Sequence, residues 1–392
     1  MELTLYGKYL IDLIKAAFNG TEPSESYENV DFSVLFELSI MHNIANLLYE
    51  PLSKLENVDK ETLEKFKVVY HAKIANDTIQ TYYLEKITDL FEKNAVPYSV
   101  MKGPVIKKLY PRPDYRQSGD LDIFVDEKYR EEARAIMEGI GFQIERYNLD
   151  DADDVYFIDK KIHVELHRIL VSNKTPWQEE CQKITDRLIL TEGKKYSYEM
   201  SLEDYYLYTI AHMAKHMKYS GMGIKMVLDV WVYINKYRSS LDWDVLKHRL
   251  DCCGLTTFEE NIRKLTNYWF NNGESDEIIK DLSNYILLSG TFGTQKQLKM
   301  CSMAEKSQNI NNRFVFNAVY YTKFFFQPYE WMCGRYPVLR KLPFLLPFCW
   351  IHRAVKTILF DREKAKRIAS EYDGVEIDES KKVQEFKRKI GL

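Results

Sequence analysis

The chain has 392 residues, of which 45% are hydrophobic and 29% charged, and this composition is typical of a folded globular protein rather than a disordered or fibrous one. The formal net charge of −3 argues against a strongly basic nucleic-acid binder, so long nucleic acid is not an expected partner. The six cysteines form no CxxC pair, which argues against a zinc ribbon and against a disulfide framework.

The first residues show no basic region followed by a long apolar run, and no stretch of about 18 uncharged apolar residues occurs in the chain. We therefore expect neither a signal peptide nor a transmembrane helix. A reducing cytoplasm is the expected location. The sequence makes no prediction about the oligomeric state.

Residues 1–93 are predicted to be helical, because apolar residues recur at helical spacing over 3–18, 32–55 and 61–93. Gly20 ends the first of these patterns, and Asn76 marks a place where the third could bend. The sequence therefore predicts an N-terminal helical region.

Residues 94–200 have a different residue pattern, with short apolar or alternating runs separated by turns. Predicted strands cover 96–101, 121–125, 142–147, 155–158 and 161–170, and predicted helices cover 105–110 and 127–139. An acidic turn at 150–154 reads as a solvated hairpin loop. This region is predicted to be an α/β block with both helix-crossed and hairpin strands.

Residues 201–392 return to helical patterns, beginning with an N-cap at Ser201. Between 313 and 356 the chain has seven Lys or Arg residues against one acid, Glu330, together with many aromatics. A helical subdomain is the simpler interpretation of this tail, and a membrane-surface or partner-docking role is the alternative. The predicted fold class is α+β, with a small mixed-sheet core at 94–200 between an N-terminal helical region (1–93) and a C-terminal helical domain (201–392).

Two acidic residues, Asp120 and Asp122, alternate with apolar residues in a predicted strand. Residues i and i+2 of a strand point the same way, so the two carboxylates share one face and repel each other unless a cation lies between them. Glu165 lies in a second alternating strand and joins them if the strands are neighbours. Three such carboxylates suit Mg²⁺, or alternatively Mn²⁺, and are what a two-ion phosphoryl-transfer site requires.

The residues before this strand fit phosphate binding. Lys102 and Gly103 lie at a strand-to-helix turn, where glycine allows close approach of the backbone and the helix N-terminus favours an anion. Lys102 and Arg116 are candidates to neutralise the phosphates of an NTP. Ser118 and Gly119, next to the carboxylates, are further candidate nucleotide-binding residues.

These motifs resemble the bacterial family of uncharacterised nucleotidyltransferases, within the DNA polymerase β-like nucleotidyltransferase superfamily. The resemblance covers roughly residues 95–350. The matching segments are 101–103, 110–111, Arg116, 119–125, 164–167, 212–216, 228–229 and 336–347. It implies Mg²⁺-dependent transfer of a nucleoside monophosphate (NMP) from an NTP. Pro104 stands where that superfamily usually has serine or glycine.

The resemblance leaves the acceptor open: a small molecule, a peptide or protein, or an RNA end. A toxin-type nucleotidyltransferase that modifies tRNA or a protein is one alternative. A non-catalytic nucleotide-binding module is the other.

Histidines form a second pattern, with His212 and His216 at the i, i+4 spacing that suits zinc. The residues between them include no glutamate, so the His-Glu-x-x-His motif is incomplete. We expect His212, His216, Asp229 and His167 to be hydrogen-bonded core residues or to line the acceptor side of a cleft. One of them could then serve as a base.

Overall fold

The computed structural model describes residues 2–23, 30–147, 153–159, 162–171, 175–291, 326–360 and 377–392. Backbone contacts divide the chain into two compact units: unit 1 comprises residues 1–292 and 390–392, and unit 2 comprises 293–389. The predicted boundaries after residues 93 and 200 both fall inside unit 1. Part of the predicted acidic turn (150–152) and part of the predicted tail (313–325) lie outside the described residues. The prediction of a solvated loop is wrong for Asp153 and Asp154, which begin a strand, and Asp154 is buried in an ion pair with Arg130.

The N-terminal part of unit 1 is helical, as the sequence predicts. Asp31 caps the second helix by accepting from the N–H groups of Ser33 and Val34, and Asp59 caps the fourth by accepting from that of Thr62. The pattern at 32–55 forms two helices, and the long fourth helix continues through Asn76 without a break. The helices are α1 (Glu2–Asn19), α2 (Phe32–Met41), α3 (Ala45–Leu52) and α4 (Lys60–Lys93).

The middle of unit 1 is a seven-stranded mixed sheet, so the predicted α+β class is confirmed. Three helices accompany it: α5 (Gly103–Ile106), α6 (Arg130–Gly139) and α7 (Gln178–Gln182). The strands are β1 (Tyr98–Val100), β2 (Asp120–Val125), β3 (Gln143–Arg146), β4 (Asp153–Ile158), β5 (Ile162–His167), β6 (Ile189–Leu190) and β7 (Ser197–Glu199). Their order in the sheet is β3-β4-β5-β2-β1-β7-β6. The sequence did not predict β6 and β7.

The alternation of β2 places its apolar residues in the main core of this sheet. Leu121 and Ile123 are almost fully buried, and they belong to one cluster with Phe91 of α4 and Met137 of α6. Burial of each such side chain contributes about 1.5–3 kcal/mol. Because one face of β2 is fixed against helices in this way, the alternate residues of the strand must point to the opposite face.

Five helices complete unit 1. Ser201 caps the first of them by accepting from the N–H of Asp204, as predicted. The last residues of the chain also pack here: Ile390 is fully buried, and its carbonyl accepts from Asn261. The helices are α8 (Leu202–Tyr219), α9 (Ile224–Tyr237), α10 (Trp243–Cys253), α11 (Thr256–Phe270) and α12 (Glu277–Leu287).

His42, in the turn between α2 and α3, ties the N-terminal helices to this second helical group. Its Nδ1 accepts from the backbone N–H of Ile224 at 3.3 Å, and its Nε2 donates to the carbonyl of Leu287 at 3.0 Å. Both ring nitrogens are used, so the neutral tautomer is defined. Burial lowers the pKa of His42 to about 4, against a smaller opposing effect of the bond to Leu287.

Unit 2 contains α13 (Tyr329–Arg335), α14 (Leu346–Phe360) and α15 (Ile377–Lys389). A small cluster of buried residues, Met332, Cys333, Leu339 and Cys349, packs α13 against α14 and the turn between them. No helix in the part of the chain that the structure describes is long and apolar enough to cross a bilayer.

Candidate active site

Strands β2 and β5 are paired in parallel, which brings the predicted carboxylates together. Asp122 lies opposite Glu165, and Asp120 lies opposite His163. The sequence argument required these strands to be neighbours, and they are. Because paired residues of adjacent strands point to the same face, the Asp120, Asp122 and Glu165 side chains all leave the sheet on the side away from the main core.

Asp122 is the most enclosed of the three, with a side chain that is 3% exposed. It is paired with Lys102, and the Nε2 of His167 lies 2.7 Å from its Oδ1. Burial raises the pKa of Asp122, but the Lys102 ammonium and the His167 hydrogen bond outweigh burial and hold that pKa well below its usual range. Asp122 is therefore an ionised carboxylate whose charge is partly neutralised within the protein.

Glu165 and His167 complete this cluster. The Nε2 of His167 also lies 3.2 Å from an oxygen of Glu165, and this hydrogen bond lowers the pKa of the glutamate. Burial and the charge of Lys102 lower the pKa of His167, but its bonds to Asp122 and Glu165 outweigh them and raise it overall. A protonated His167 donates to both carboxylates and fixes their relative positions.

Asp120 differs from its neighbours because it has no hydrogen bond or ion pair within the described residues. Burial raises its pKa to about 6, and the negative charges of Asp122 and Glu165 add to that effect. Ligand atoms of Asp122, Glu165 and His167 lie within 4.8 Å of one another. Asp120 lies on the same face but is not part of this group. Carboxylates with an excess of negative charge are donors that fit a hard divalent cation such as Mg²⁺.

Gly103, the first residue of α5, packs closely against Ser118. A Cβ atom at Gly103 would lie 1.7 Å from the Oγ of Ser118, so any larger residue would force that side chain to move. The preceding residue, Lys102, has a φ of +49°, a backbone conformation that is strained for a residue other than glycine. The turn thus positions Lys102 beside Asp122.

Arg116 is paired with Asp229 of α9. Its Nε and Nη2 donate to the carboxylate at 2.9 and 2.8 Å, and the hydroxyl of Tyr110 donates to the same group at 2.6 Å. The pair is nearly buried, with side chains 11% and 8% exposed. Lys102 and Arg116, predicted as phosphate ligands, therefore both have carboxylate partners inside the protein.

The other side of the site is a helical wall formed by α8 and α9. His212 and His216 lie one turn apart on α8, with their Nε2 atoms 3.2 Å apart. Burial lowers the pKa of His212 well below its usual value and that of His216 to about 4, so both imidazoles are neutral at pH 7. In the described part of the chain, no third His, Cys or carboxylate lies near enough to make this pair a metal site.

Three residues of this wall were not singled out from the sequence. Lys225 of α9 donates to the carbonyl of Gln117 at 3.1 Å, and burial lowers its pKa to about 7. Burial also lowers the pKa of Lys215. Neither lysine has a carboxylate within ion-pairing distance among the described residues. The hydroxyl of Tyr208 is buried without a hydrogen-bond partner.

The signals for these residues in the sequence are weak. Lys215 and Tyr208 share one face of α8 with His212, because they lie three and four positions from it, so helical spacing could have found them. Lys225 had no such signal, because its place depends on how α9 packs.

All of these groups meet in one cleft of roughly 420 Å³. Its lining includes every residue that the sequence analysis proposed for the site. These are Lys102, Gly103, Arg116, Ser118, Gly119, Asp120, Asp122, Glu165, His167, His212, His216 and Asp229. A carboxylate floor thus faces a helical wall whose two lysines have no carboxylate partner in the part of the chain that the structure describes.

Comparison with known proteins identifies the family. The model of a family described as uncharacterised nucleotidyltransferase matches residues 28–271, which is more than half of the chain, so the chain belongs to that family. The match confirms the predicted nucleotidyltransferase family. It begins well before residue 95 and ends at residue 271, so it does not include the predicted matching segment at 336–347. Searches of curated proteins and of solved structures found no match.

Proposed function

From the premise that the chain belongs to a nucleotidyltransferase family, we propose that it transfers an NMP from an NTP to a hydroxyl or phosphate acceptor. Asp120, Asp122 and Glu165 hold Mg²⁺, or Mn²⁺ in its place, with two ions bound in the working enzyme. The observation that supports this most directly is the pairing of Asp122 with Glu165 on neighbouring strands, beside an Asp120 that has no hydrogen bond or ion pair among the described residues.

In the proposed reaction, an oxygen of the acceptor attacks the α-phosphorus of the NTP. The bond from that phosphorus to the oxygen bridging the α- and β-phosphates breaks, and pyrophosphate leaves with the bonding electrons. Bound Mg²⁺ would supply positive charge to the phosphates and favour ionisation of the attacking hydroxyl.

The side chains of the floor have defined tasks in this proposal. Lys102 keeps Asp122 ionised, and His167 holds Asp122 and Glu165 in a fixed relation. Arg116 acts as the counter-charge of Asp229 and so orders the segment leading to β2. Gly103, Ser118 and Gly119 line the nucleotide side of the cleft.

The helical wall supplies positive charge to the triphosphate. Lys215 and Lys225 are the cleft lysines without a carboxylate partner among the described residues, and burial makes their charged forms costly in the empty cleft. A triphosphate would provide the missing anion and raise both pKa values again. His212, His216 and Tyr208 line the part of the wall where the acceptor would lie, and the neutral imidazoles can accept a proton there.

Transfer of label tests this proposal. The protein is incubated with Mg²⁺, a cell extract and each NTP, labelled with ³²P at the α- or the γ-phosphate. We expect label to move to an acceptor from the α position only. The RNA, protein or small-molecule fraction that becomes labelled identifies the acceptor class. Label transferred from the γ position would instead assign kinase chemistry and contradict the proposal.

A matched pair of variants makes the assay specific. Asp120→Asn should abolish transfer, whereas Asp126→Asn should not, because Asp126 lies just beyond the same strand and its carboxylate contacts the backbone N–H and the ammonium of Lys128 rather than the cleft. If Mg²⁺ and an NTP stabilise the protein against heat but no label is transferred to any fraction, the chain is a non-catalytic binding module.

A further inference from the structure

Unit 2 presents an exposed apolar stripe along α14 and the 3₁₀ turn Pro343–Leu345 that precedes it. Phe344, Phe348, Ile351 and Val355 are 69%, 67%, 62% and 46% exposed. Phe348, Ile351 and Val355 are spaced three and four residues apart, which places them on one side of α14, and Phe344 lies in the turn just before it. Large apolar side chains aligned in this way are characteristic of a contact surface rather than of scattered surface residues.

The opposite side of α14 already packs within unit 2. Cys349 and Arg353 are buried there, and Trp350 contacts the cluster that contains Met332 and Leu339. The exposed stripe is therefore not the side of the helix that forms the core of unit 2. Its partner must be something outside this core.

The charge around the stripe indicates the kind of partner. Residues 331–360 contain five Lys or Arg residues and no Asp or Glu. Arg335, Arg340, Lys341 and Lys356 are exposed. A second copy of the same face would bring like charges together, which is unfavourable. An apolar stripe with basic residues around it is complementary to an anionic lipid surface.

The length of α14 defines how it would lie. Fifteen residues extend about 22 Å as a helix, whereas the hydrocarbon core of a bilayer is about 30 Å thick. Two prolines, Pro343 and Pro347, also interrupt the apolar run. The helix would therefore lie in the plane of the interface with the stripe pointing into the lipid.

We propose that the stripe of α14 docks this protein onto an anionic lipid bilayer, with Phe344, Phe348, Ile351 and Val355 inserted among the acyl chains and the flanking lysines and arginines against the headgroups. This role is independent of the nucleotidyl-transfer reaction.

Sedimentation with vesicles tests the proposal on the full chain. Vesicles of equal parts phosphatidylglycerol and phosphatidylcholine should bring down the protein, and vesicles of phosphatidylcholine alone should bring down much less. Binding should weaken between about 0.05 M and 0.5 M NaCl, because salt screens the headgroup attraction. Equal sedimentation with both kinds of vesicle would overturn the electrostatic part of the proposal.

Two pairs of variants locate the contact. Phe344→Ser with Phe348→Ser, and separately Lys341→Glu with Lys356→Glu, should each lower the partition coefficient at least about tenfold. Val68→Ser with Tyr82→Ser is the matched apolar control, because both residues are exposed on α4. Lys236→Glu with Lys247→Glu is the charge control, since both residues are exposed on α9 and α10. Neither control should change vesicle binding.

The competing occupants give different results. If the phenylalanine variants convert a dimer into a monomer in light scattering and leave vesicle binding unchanged, the stripe is an interface between copies and the proposal is wrong. Unchanged vesicle binding in both test pairs would likewise exclude α14 as the lipid contact. Far-ultraviolet circular dichroism checks that the variants are folded, and removal of exposed apolar groups should not unfold them.

Discussion

The carboxylate floor and the helical wall of the cleft differ in both charge and origin. The floor consists of alternate residues of two paired strands, and its charge is partly neutralised by Lys102 and His167. The wall has two lysines without carboxylate partners in the described residues, placed by the packing of α8 and α9. The floor thus has an excess of carboxylates and the wall an excess of lysines, and the Arg116–Asp229 ion pair links the two. Under the proposed function, the floor would carry out the chemistry and the wall would bind the charge of the substrate.

The largest expected effect comes from the floor. Asp120→Asn should lower kcat by about a thousandfold, because loss of an ion worth several kcal/mol of transition-state stabilisation has that size. The same variant should raise the melting temperature, since it removes a carboxylate that Asp122 and Glu165 repel. Activity is measured with α-labelled NTP and stability by thermal unfolding. A variant that loses stability along with activity would indicate that Asp120 has a structural role.

The next effect concerns the ion pair that joins the floor to the wall. Asp229→Asn leaves the nearly buried guanidinium of Arg116 without its counter-ion. We expect the free energy of unfolding to fall by about 3 kcal/mol, because removal of one partner leaves a charge uncompensated. Urea denaturation measures the change. Asp244→Asn, on the exposed surface of α10, is the control and should stay within about 0.5 kcal/mol of the wild type.

A third effect depends on pH and concerns His42, which accepts a hydrogen bond from Ile224 at the start of α9 in the wall. The folded-state pKa of His42 is about 4, whereas its ordinary value is 6.5, so the unfolded chain binds this proton more tightly. The contribution of His42 to stability is therefore fully present above pH 6.5. It is lost by up to about 3 kcal/mol as the pH falls toward 4.

Urea denaturation between pH 7.5 and pH 5 checks the direction of this change in stability. The loss of stability on acidification should be smaller in His42→Asn than in the wild type, whatever the absolute stability of the variant. Parallel pH profiles for the two proteins would show that His42 does not titrate as its buried position requires.

The smallest expected effect is on NTP affinity, and it tests the wall without changing the floor. Lys215→Met and Lys225→Met should each raise the Kd of a non-hydrolysable NTP analogue about tenfold, the size expected for one charge contact of about 1.4 kcal/mol. Calorimetry measures this without knowledge of the acceptor. Lys236→Met, on the exposed side of α9, is the matched control. Unchanged affinity in both cleft variants would mean that the wall lysines do not contact the phosphates.

The floor could be predicted from the sequence because the alternation of acidic and apolar residues in each strand shows which side chains share a face. Alternation places Asp120 beside Asp122, and the same alternation identifies Glu165. Only their mutual distance needed the pairing of β2 with β5. Gly103 was predicted for the approach of a phosphate, but its close contact with Ser118 is a separate steric reason that a linear sequence does not reveal.

The wall was less predictable because helices separated in sequence build it. The spacing of His212 and His216 identified one face of α8, but which cations lack partners depends on tertiary contacts. Arg116 illustrates the limit: its charge suggested a phosphate ligand, and its bidentate contact with Asp229 became visible only in the fold. Helix and strand positions were mostly predicted, whereas the short strands β6 and β7 have too few residues to show a period.

The parallel pairing of β2 with β5 also has a consequence for substitutions elsewhere in the sheet. The hairpin of β3 and β4 lies at the edge of the sheet, outside the Asp122–Glu165 pair, yet Arg146 and Asp153 of that hairpin reach the rim of the cleft. Insertions or substitutions there alter the rim while the register of the carboxylates stays constant. Under the proposed function, substitutions in this edge hairpin would change which acceptor fits the cleft without moving the carboxylates.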